Sequence, residues 1–374
     1  APSTIFSGVS QVRPGEMVVL EKGALSSRQY WDWNYPDAGA HLTGSAQKLA
    51  DELEDLLSDA TRIRLRADVP VGAYLSGGLD SSALVALIQR QGLSELRTFS
   101  IAFESKVHDE STYQSELSRF LGTQHSSVRC SQDDIADNFM SAVWHGESPI
   151  LRTAPVPMHI LSGLVRQSDF KVVLTGEGAD EVLGGYDIFK EAKVREFWSR
   201  NPGSEWRPYL LQRLYPYLDF SGNRNQAYLK SFFGDGFDSI DALTFAHQPR
   251  WSMTSQIKMF YSDDLKSSLS DNATSRFEAL ADESWSSWKR FNRWEYVEAR
   301  TILPGYILSS QGDRMLMANS VEGRFPYLDH RVIEFAQQLP PKLKMRAMCE
   351  KYLLKRAMKE SLPASITGRT KQPY

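Results

Sequence analysis

The sequence predicts an α/β fold in which helices cover both faces of a parallel sheet and the C-terminal part is mainly helical. Between about residue 45 and residue 186, short apolar runs typical of buried strands alternate with segments whose apolar residues recur at helical spacing. Two glycine-rich segments each follow an apolar strand directly. From residue 187 onward the pattern changes to helical segments rich in Trp, Tyr and Phe, without strand alternation. Parallel strands need crossover helices, so this order favours a sheet covered on both sides.

The individual elements are predicted in order from the N-terminus. Residues 1–35 predict short strands and turns, among them hairpin strands at Met17–Leu20 and Tyr30–Trp33 and a turn at Lys22-Gly23. Leucines at helical spacing predict a helix that begins near Ser45. The later predictions are a strand at 69–75, a helix at 82–91, a strand at 97–103, a helix at 111–121 and a strand at 171–174.

The first glycine-rich segment, residues 76–82, has the sequence SGGLDSS. Small residues between a strand and a helix N-terminus leave backbone N–H groups available to an anion. Ser76, Ser81 and Ser82 add hydroxyl donors, while the Asp80 carboxylate suits such a site only if a cation separates it from phosphate. The segment therefore predicts a pyrophosphate site with bound Mg²⁺. It is not a Walker A loop, because Gly-Lys-Ser/Thr is absent.

The second glycine-rich segment, residues 175–186, has the sequence TGEGADEVLGGY. Its glycines allow a close approach of the backbone to a ligand. The carboxylates of Glu177, Asp180 and Glu181 suit Mg²⁺ coordination or acid–base chemistry on a bound substrate. Both glycine-rich segments follow strands of one parallel sheet, so we expect them at the same carboxyl edge, where such sheets bind ligands.

The composition narrows the class of protein further. The net charge of −3 over 374 residues gives no basic footprint, so nucleic acid is not an expected partner. No apolar stretch approaches the length of a membrane span, and no signal peptide is evident, so no membrane partner is expected. Cys130 and Cys349 form no Cys-x-x-Cys pattern, which fits a reducing compartment. A cytoplasmic enzyme is the prediction.

The two glycine-rich motifs together resemble the synthetase domain of the glutamine-dependent asparagine synthetases and their amidotransferase relatives. SGGxDS is the signature of the N-type ATP pyrophosphatases, whose fold is adenine-nucleotide α-hydrolase-like. Three further segments resemble the family: 317–329, 350–356 and 369–373. The resemblance implies a division of the chain into 1–35, the tail of a glutaminase domain and its junction, and 36–374, the synthetase domain. The latter comprises a nucleotide-binding core at 36–186 and a helical part at 187–374 that completes the site.

The resemblance also implies a chemistry and a set of site residues. The family activates a carboxylate with ATP as an acyl-adenylate, releases pyrophosphate, and lets ammonia attack to give an amide. The residues implied to cradle pyrophosphate are Ser76, Gly77, Gly78, Ser81 and Ser82. Those implied to hold Mg²⁺ are Asp80 and Asp180, and those implied to line adenine and ribose are Leu75, Ile101 and Gly176. Glu177 would face the acyl-adenylate and the ammonia, and Lys351 would supply positive charge to the phosphates.

Several alternatives stay open at this stage. The acceptor acid is aspartate or another carboxylic acid, because region 144–162 matches the aspartate-specific enzymes only loosely. The alternative is therefore a related amidotransferase or cyclase that acts on a non-aspartate acceptor in secondary metabolism or peptide tailoring. Asp109-Glu110 and Trp144–Pro149 are hypotheses for residues near the acceptor carboxylate. Arg324 belongs either to the site or to a structural ion pair. A homodimer is a further possibility.

The residues at the two ends of the chain bear on the source of nitrogen. Both ends look cut, and the cysteine nucleophile of the family's glutaminase half is not found at Ala1. We therefore expect free ammonia, or ammonia from a glutaminase domain, as the nitrogen source.

Two other functions compete with an amide-forming ligase. One is another ATP pyrophosphatase, such as a tRNA-thiolating or adenylating enzyme, which would call for a basic surface or catalytic cysteines. The other is a non-catalytic ATP-binding domain.

Overall fold

The structure is a computed structural model that describes residues 3–92, 95–104, 109–214, 223–269, 273–279, 281 and 283–371. The strands are β1 (Glu16–Glu21), β2 (Ala24–Gln29), β3 (Val71–Tyr74), β4 (Arg97–Phe103), β5 (Gln124–Cys130), β6 (Val172–Leu174) and β7 (Glu322–Arg324). The α-helices are α1 (Ala46–Arg64), α2 (Leu79–Arg90), α3 (Ser111–Leu121), α4 (Gln132–Gly146), α5 (Pro155–Gln167), α6 (Ala179–Leu183), α7 (Asp187–Ser199), α8 (Asn223–Phe233), α9 (Gln248–Ser255), α10 (Asp263–Ser268), α11 (Ala273–Glu278), α12 (Arg290–Ile302), α13 (Arg314–Met317), α14 (His330–Gln338), α15 (Pro341–Lys344), α16 (Tyr352–Ala357) and α17 (Ala364–Thr367). A π-helix spans Leu303–Asp313, and 3₁₀ turns span Arg207–Arg213, Phe237–Ser239, Gln256–Phe260, Glu283–Ser287 and Pro326–Leu328.

The predicted fold class is confirmed. Within the described residues, β3 to β7 form one sheet in the order β5-β4-β3-β6-β7, and every neighbouring pair is parallel. Alternate residues of β3 enter different apolar clusters: Ala73 packs with residues of α1 and α2, and Tyr74 packs with residues of α5. Both faces of the sheet are therefore covered by helices, as expected for parallel strands.

The strand order contains a switch point between β3 and β6. From β3 the chain moves outward through β4 to β5, then returns to the opposite side of β3 as β6. Both glycine-rich segments begin where these two central, adjacent strands end. Ligands of doubly covered parallel sheets bind at this position, because the connections on either side diverge and leave a crevice.

Helix α1 illustrates how the sequence specifies its packing. The hydroxyl of Ser45 accepts a hydrogen bond from the backbone N–H of Lys48 and caps the predicted start of the helix. Leu49, Leu53 and Leu57 recur on one face and are buried in the main core. Each buried leucine contributes roughly 1.5–3 kcal/mol, which fixes the helix against the sheet.

The structure differs from the predictions at several places. β5 was not predicted, and the C-terminal part, predicted without strands, contributes β7 at the sheet edge. β7 has only three residues, so no alternating pattern marks it. The helix expected from residue 82 begins at Leu79, because Gly78 serves as its N-cap. The β1–β2 hairpin is confirmed, whereas Tyr30–Trp33 is not a strand.

Among the described residues, no helix is long and apolar enough to cross a membrane.

Candidate functional site

The two glycine-rich segments touch at the switch point. A Cβ on Gly176 would lie 3.1 Å from the backbone nitrogen of Ser81 and 3.2 Å from Cβ of Asp80. A side chain at residue 176 would thus push the two segments apart, which is why glycine suits this position. The loop after β3 and the loop after β6 form one continuous wall.

The loop after β3 is shaped by its own serines. The hydroxyls of Ser76 and Ser81 lie 3.0 Å apart, and the backbone N–H of Ser76 donates to Ser81 Oγ at 3.1 Å. The Ser82 hydroxyl is buried and donates to the carbonyl of Gly78 at 2.5 Å. Ser76 and Ser81 border the cavity in front of the loop, whereas Ser82 holds the first turn of α2 in shape.

A cluster of opposite charges lies in front of the loop. Lys351 contacts Asp80, and its Nζ lies 2.6 Å from Asp180 Oδ1. Lys371 Nζ lies 2.5 Å from the other oxygen of Asp180. Lys351 is only 3% exposed and has a left-handed backbone with φ of 48°, an uncommon conformation for a lysine. A strained backbone retained at a buried charge is typical of functional sites.

Gly185 leaves the room that this charged cluster occupies. A Cβ at this position would lie 1.9 Å from Asp180 Oδ1 and 2.1 Å from Lys351 Cε. The backbone N–H of Gly185 also donates to the carbonyl of Asp180 at 2.9 Å. Gly185 therefore determines where the Asp180 carboxylate and the Lys351 ammonium meet.

The electrostatics of the two aspartates differ. Burial favours a raised pKa for both, but Lys351 and Lys371 outweigh it at Asp180 and lower the pKa of that carboxyl to about 2. At Asp80 burial and the charge of Asp180 prevail over the attraction of Lys351, so its pKa is raised. The two carboxylates in turn raise the pKa of Lys351 against the effect of its burial. Asp80 is the less compensated of the two carboxylates.

The donor set fits a magnesium ion bound together with phosphates. Asp80 Oδ1 is buried and has no hydrogen-bond partner among the described residues. The described part of the chain contains no group of three or more His, Cys, Asp or Glu suited to a metal. Mg²⁺ is commonly held by one or two carboxylates plus substrate phosphates rather than by a full protein cage, so Asp80 and Asp180 are a sufficient set.

Glu177 lies on the wall formed by the second segment. Thr175 Oγ1 donates to Glu177 Oε2, and the side chain borders the cavity. Burial, together with the negative charges of Asp80, Asp313 and Asp180, raises the pKa of Glu177 to about 7. A carboxyl group with this pKa exchanges protons near neutral pH, as a general acid or base must.

These elements border one cavity of about 1860 Å³, large enough for a nucleotide and a second substrate. Most of the predicted site residues line it: Leu75, Ser76, Gly78, Asp80, Ser81, Ile101, Gly176, Glu177, Asp180 and Lys351. Gly77 and Ser82 do not. Among the residues predicted to lie near the acceptor carboxylate, Glu110 lines the cavity and Asp109 does not. Residues 144–149 do not line it either, whereas 151–154 do.

Arg324 is structural. Its Nη1 donates to the carbonyls of Arg64 and Arg66 at 2.6 and 2.7 Å. It therefore satisfies orphan carbonyls at the end of α1 and ties that helix to β7.

Sequence reasoning missed several residues that organise the site. Tyr327 donates to the backbone carbonyl of Asp80 at 3.0 Å. Gln114 donates to the carbonyls of Ser76 and Ile101 at 3.4 and 3.0 Å, and so joins the loop after β3 to strand β4. Lys371 and Gly185 stand within motifs that resembled the family, but nothing in a local pattern showed what they contact.

A parallel sheet that carries these two loops at its switch point defines an ATP-binding domain of the adenine-nucleotide α-hydrolase-like class. The family model described as asparagine synthase matches residues 52–374, and the chain belongs to this family, whose enzymes use ATP and form amides.

Named relatives match almost the whole chain. It is 30% identical to amidase chyE of Penicillium rubens, with 99% of this chain and 59% of the relative covered. It is 27% identical to amidase chry2 of Gibberella zeae, with 100% and 59% covered. It is 30% identical to "Asparagine synthetase [glutamine-hydrolyzing] 1" of Bacillus subtilis, with 99% and 56% covered. The chain thus spans less than two thirds of the length of these relatives.

Proposed function

We propose that this chain is the synthetase domain of an amide-forming ligase that adenylates a carboxylic acid with ATP and transfers the acyl group to ammonia. The observation that carries the proposal is the meeting of Asp80, Asp180 and Lys351. One glycine-rich loop supplies each aspartate, and the lysine bridges them at the switch point. A non-catalytic ATP-binding domain would not need three buried charged groups held together at this cost in desolvation.

The pyrophosphate half of ATP would bind along the first loop. The backbone N–H groups at the start of α2 and the hydroxyls of Ser76 and Ser81 donate to phosphate oxygens. Gly78 borders the same cavity, whereas Gly77 and Ser82 do not line it and would support the pyrophosphate through the shape of the loop. Asp80 and Asp180 would hold Mg²⁺, which neutralises phosphate charge and assists the departure of pyrophosphate. Lys351 would bind a phosphate oxygen as a further fixed positive charge.

The adenosine half would lie along the strand ends, against Leu75, Ile101 and Gly176. In the first step an oxygen of the acceptor carboxylate attacks the α-phosphorus, and the bond from that phosphorus to the bridging oxygen of pyrophosphate breaks. In the second step ammonia attacks the acyl carbon, and AMP leaves with the electrons of the acyl–oxygen bond. Glu177, whose pKa is about 7, would accept a proton from the attacking nitrogen.

We propose aspartate as the acceptor acid, and another carboxylic acid as the second candidate. Relatives named asparagine synthetase favour aspartate. Two relatives that match at 30% and 27% identity are named amidases, which favours an acid other than aspartate. A cavity of about 1860 Å³ has room for a larger acid beside a nucleotide.

We also propose a source for the ammonia and a division of the chain into two parts. Relatives named as glutamine-hydrolysing are longer than this chain, so we propose that ammonia comes from a glutaminase domain of a longer protein. Residues 1–35 would be its tail and junction, and 36–374 the synthetase domain. The exposed apolar side chains of the β1–β2 hairpin, such as Leu20 and Leu25, support a junction there.

The test is to incubate the chain with ATP, Mg²⁺, ammonium chloride and L-aspartate, and to look for AMP and asparagine by mass spectrometry. Both products together support the aspartate proposal. AMP with another acid, and none with aspartate, supports the second candidate. Asp80→Asn should abolish AMP formation, whereas Asp37→Asn, at an exposed aspartate, should not. An active Asp80→Asn variant would contradict the Mg²⁺ assignment.

A further inference from the structure

The helical part of the chain contributes an acidic and aromatic region to the wall of the cavity. We call the portion lined by Glu181, His247, Trp251, Phe277 and Glu298 the inner pocket. Helices α9, α11 and α12 supply Trp251, Phe277 and Glu298, and His247 immediately precedes α9. The proposed function gives these four helical residues no role, although they border the same cavity as the two glycine-rich loops.

His247 and Glu298 lie side by side without a hydrogen bond between them. His247 is only 4% exposed, and its Nε2 lies 3.3 Å from Glu298 Oε1. Neither ring nitrogen of His247 has a hydrogen-bond partner among the described residues. Buried polar groups in folded proteins are nearly always paired, so an unpaired imidazole that borders a cavity indicates a place for a ligand group.

The inner pocket carries more negative than positive charge. The Arg250 guanidinium borders the cavity, but both of its Nη atoms donate to Glu191, at 2.5 and 2.7 Å. Within the described part of the chain, neither Glu181 nor Glu298 forms an ion pair with a lysine or an arginine. Burial and the charges of Asp180 and Glu298 raise the pKa of Glu181 to about 8, so the two glutamates lie within electrostatic reach of each other. A cationic ligand group would find carboxylates there that no arginine or lysine already neutralises.

Aromatic rings adjoin these polar groups. The centroids of the Trp251 and His247 rings lie 5.5 Å apart, and Phe277 packs edge-on against Trp251 at 6.3 Å. The face of an aromatic ring attracts cations, because its quadrupole is negative there. An ammonium group has three N–H donors and no acceptor. Carboxylates, an imidazole nitrogen and aromatic faces together therefore fit an ammonium group better than they fit an anion.

The inner pocket adjoins the charged cluster in front of the first loop. Glu181 directly follows Asp180, and the Tyr186 hydroxyl donates to Glu181 Oε1 at 2.7 Å. The ring centroid of Tyr186 lies 5.2 Å from Lys371 Nζ, which itself contacts Asp180. A molecule whose ammonium group occupies the inner pocket therefore lies next to the residues proposed to hold ATP and Mg²⁺.

We propose that His247 and Glu298 recognise an ammonium group of the acceptor acid, so that the acceptor is an amino acid rather than a simple carboxylic acid. The inference rests on the proposed function and narrows its substrate class. The ammonium group donates to Glu298 Oε1 and to a ring nitrogen of His247, and its charge lies near the Trp251 ring. The carboxylate that is adenylated extends toward the charged cluster. An acid without an amine leaves both side chains unpaired and is bound more weakly for that reason.

The exchange of labelled pyrophosphate into ATP tests the proposal, because it reports adenylation and needs no ammonia. The acids are compared in matched pairs with and without the amine: L-aspartate and succinate, L-glutamate and glutarate, 6-aminohexanoate and hexanoate. We expect the amino acid of the productive pair to have a KM lower by about tenfold or more, as one charge-assisted hydrogen bond supplies. Equal KM values within every pair would overturn the proposal.

Variants assign the preference to the two residues. Glu298→Gln keeps the shape of the side chain and removes its charge, so it should raise the KM of the amino acid about tenfold or more. The KM values of ATP and of the acid without an amine should stay as in the wild type. His247→Asn should reduce the same preference, and Glu334→Gln, at an exposed glutamate, is the matched control. An unchanged preference in both variants, or an equal loss for both acids together with a lower melting temperature, would overturn the assignment.

The free ammonium ion is a second source of the same chemical group. If the inner pocket holds that ion, Glu298→Gln would raise the KM of ammonium chloride in amide formation and leave the exchange reaction unaltered, which would overturn the inference. A wild-type chain that gives no exchange with any acid would overturn the proposed function, and the inference with it. Exchange that is indifferent to the amine would overturn only the inference.

Discussion

Gly185→Ala perturbs the charged cluster without removing any charged group. The new Cβ would lie 1.9 Å from Asp180 Oδ1 and 2.1 Å from Lys351 Cε. Ordinary contacts of a Cβ begin near 3.4 Å, so Asp180 Oδ1 must retreat by about 1.5 Å. The 2.6 Å ion pair between Lys351 and Asp180 does not survive such a displacement.

The expected cost follows from the burial of the pair. Breaking a buried ion pair by removing one partner costs roughly 3–5 kcal/mol. Here both side chains remain and border a cavity, so we expect the lower end, about 3 kcal/mol. In a domain of this size each kcal/mol lowers the melting temperature by about 2 °C, which gives a decrease of about 6 °C. Pyrophosphate release should fall about a hundredfold, because a misplacement of 1 Å has effects of that size.

The assays are thermal and urea unfolding followed by circular dichroism, and pyrophosphate release with ATP and the acceptor acid. Gly39→Ala is the matched control, since a Cβ on Gly39 would meet nothing within 4 Å. We expect the control to change the free energy of unfolding by less than about 0.5 kcal/mol. A Gly185→Ala variant as stable and as active as Gly39→Ala would refute the assigned geometry.

Three further predictions concern ionisable groups. At a constant concentration of free ammonia, Glu177→Gln should lower the rate of amide formation and remove the rise in rate through about pH 7, because burial raises the pKa of Glu177 to that value; an unchanged pH–rate profile under this condition would exclude Glu177 as the base. Burial and the charge of Asp180 raise the pKa of Glu181 to about 8, so the folded state loses stability as pH rises from the unfolded pKa toward 8. Urea titrations at pH 5 and pH 8.5 should therefore show Glu181→Gln gaining on the wild type at the higher pH, by on the order of 1 kcal/mol per pH unit; a parallel response would refute this. Arg324→Met should destabilise the fold by about 2 kcal/mol through the unpaired carbonyls of α1, with unchanged ATP affinity of the folded chain; a tenfold loss of affinity would place Arg324 in the site.

The meeting of the two glycine-rich loops could be predicted from the sequence for a physical reason. Each loop follows an apolar strand, and the carboxyl ends of parallel strands share one edge. What the sequence left undetermined was the strand order, which makes β3 and β6 direct neighbours. With that adjacency, Asp80 and Asp180 lie close enough together for Lys351 to contact both.

The parts of the site that were missed depend on distant pairing. The Lys371–Asp180 and Arg369–Glu110 contacts join residues about two hundred or more positions apart, and no local periodicity encodes them. β7 is similar, because three residues at a sheet edge are recognisable only by their partner strand. Lys351 was identified from a resemblance, while its left-handed backbone was not foreseeable.

Fold stability and ligand recognition share residues at this site. Asp80, Asp180, Lys351 and Lys371 carry two negative and two positive charges, so the loss of any single member leaves an uncompensated charge in the cluster. The Lys371–Asp180 pair also holds residues 366–371 against the sheet edge, and Arg369 holds the same segment against the loop at residues 76–82. A ligand that displaces Lys371 from Asp180 would therefore also loosen the attachment of residues 366–371 to the sheet edge. We therefore expect ligand binding at this sheet edge and the order of residues 366–371 to be coupled through the Asp180 carboxylate, and this coupling is reciprocal.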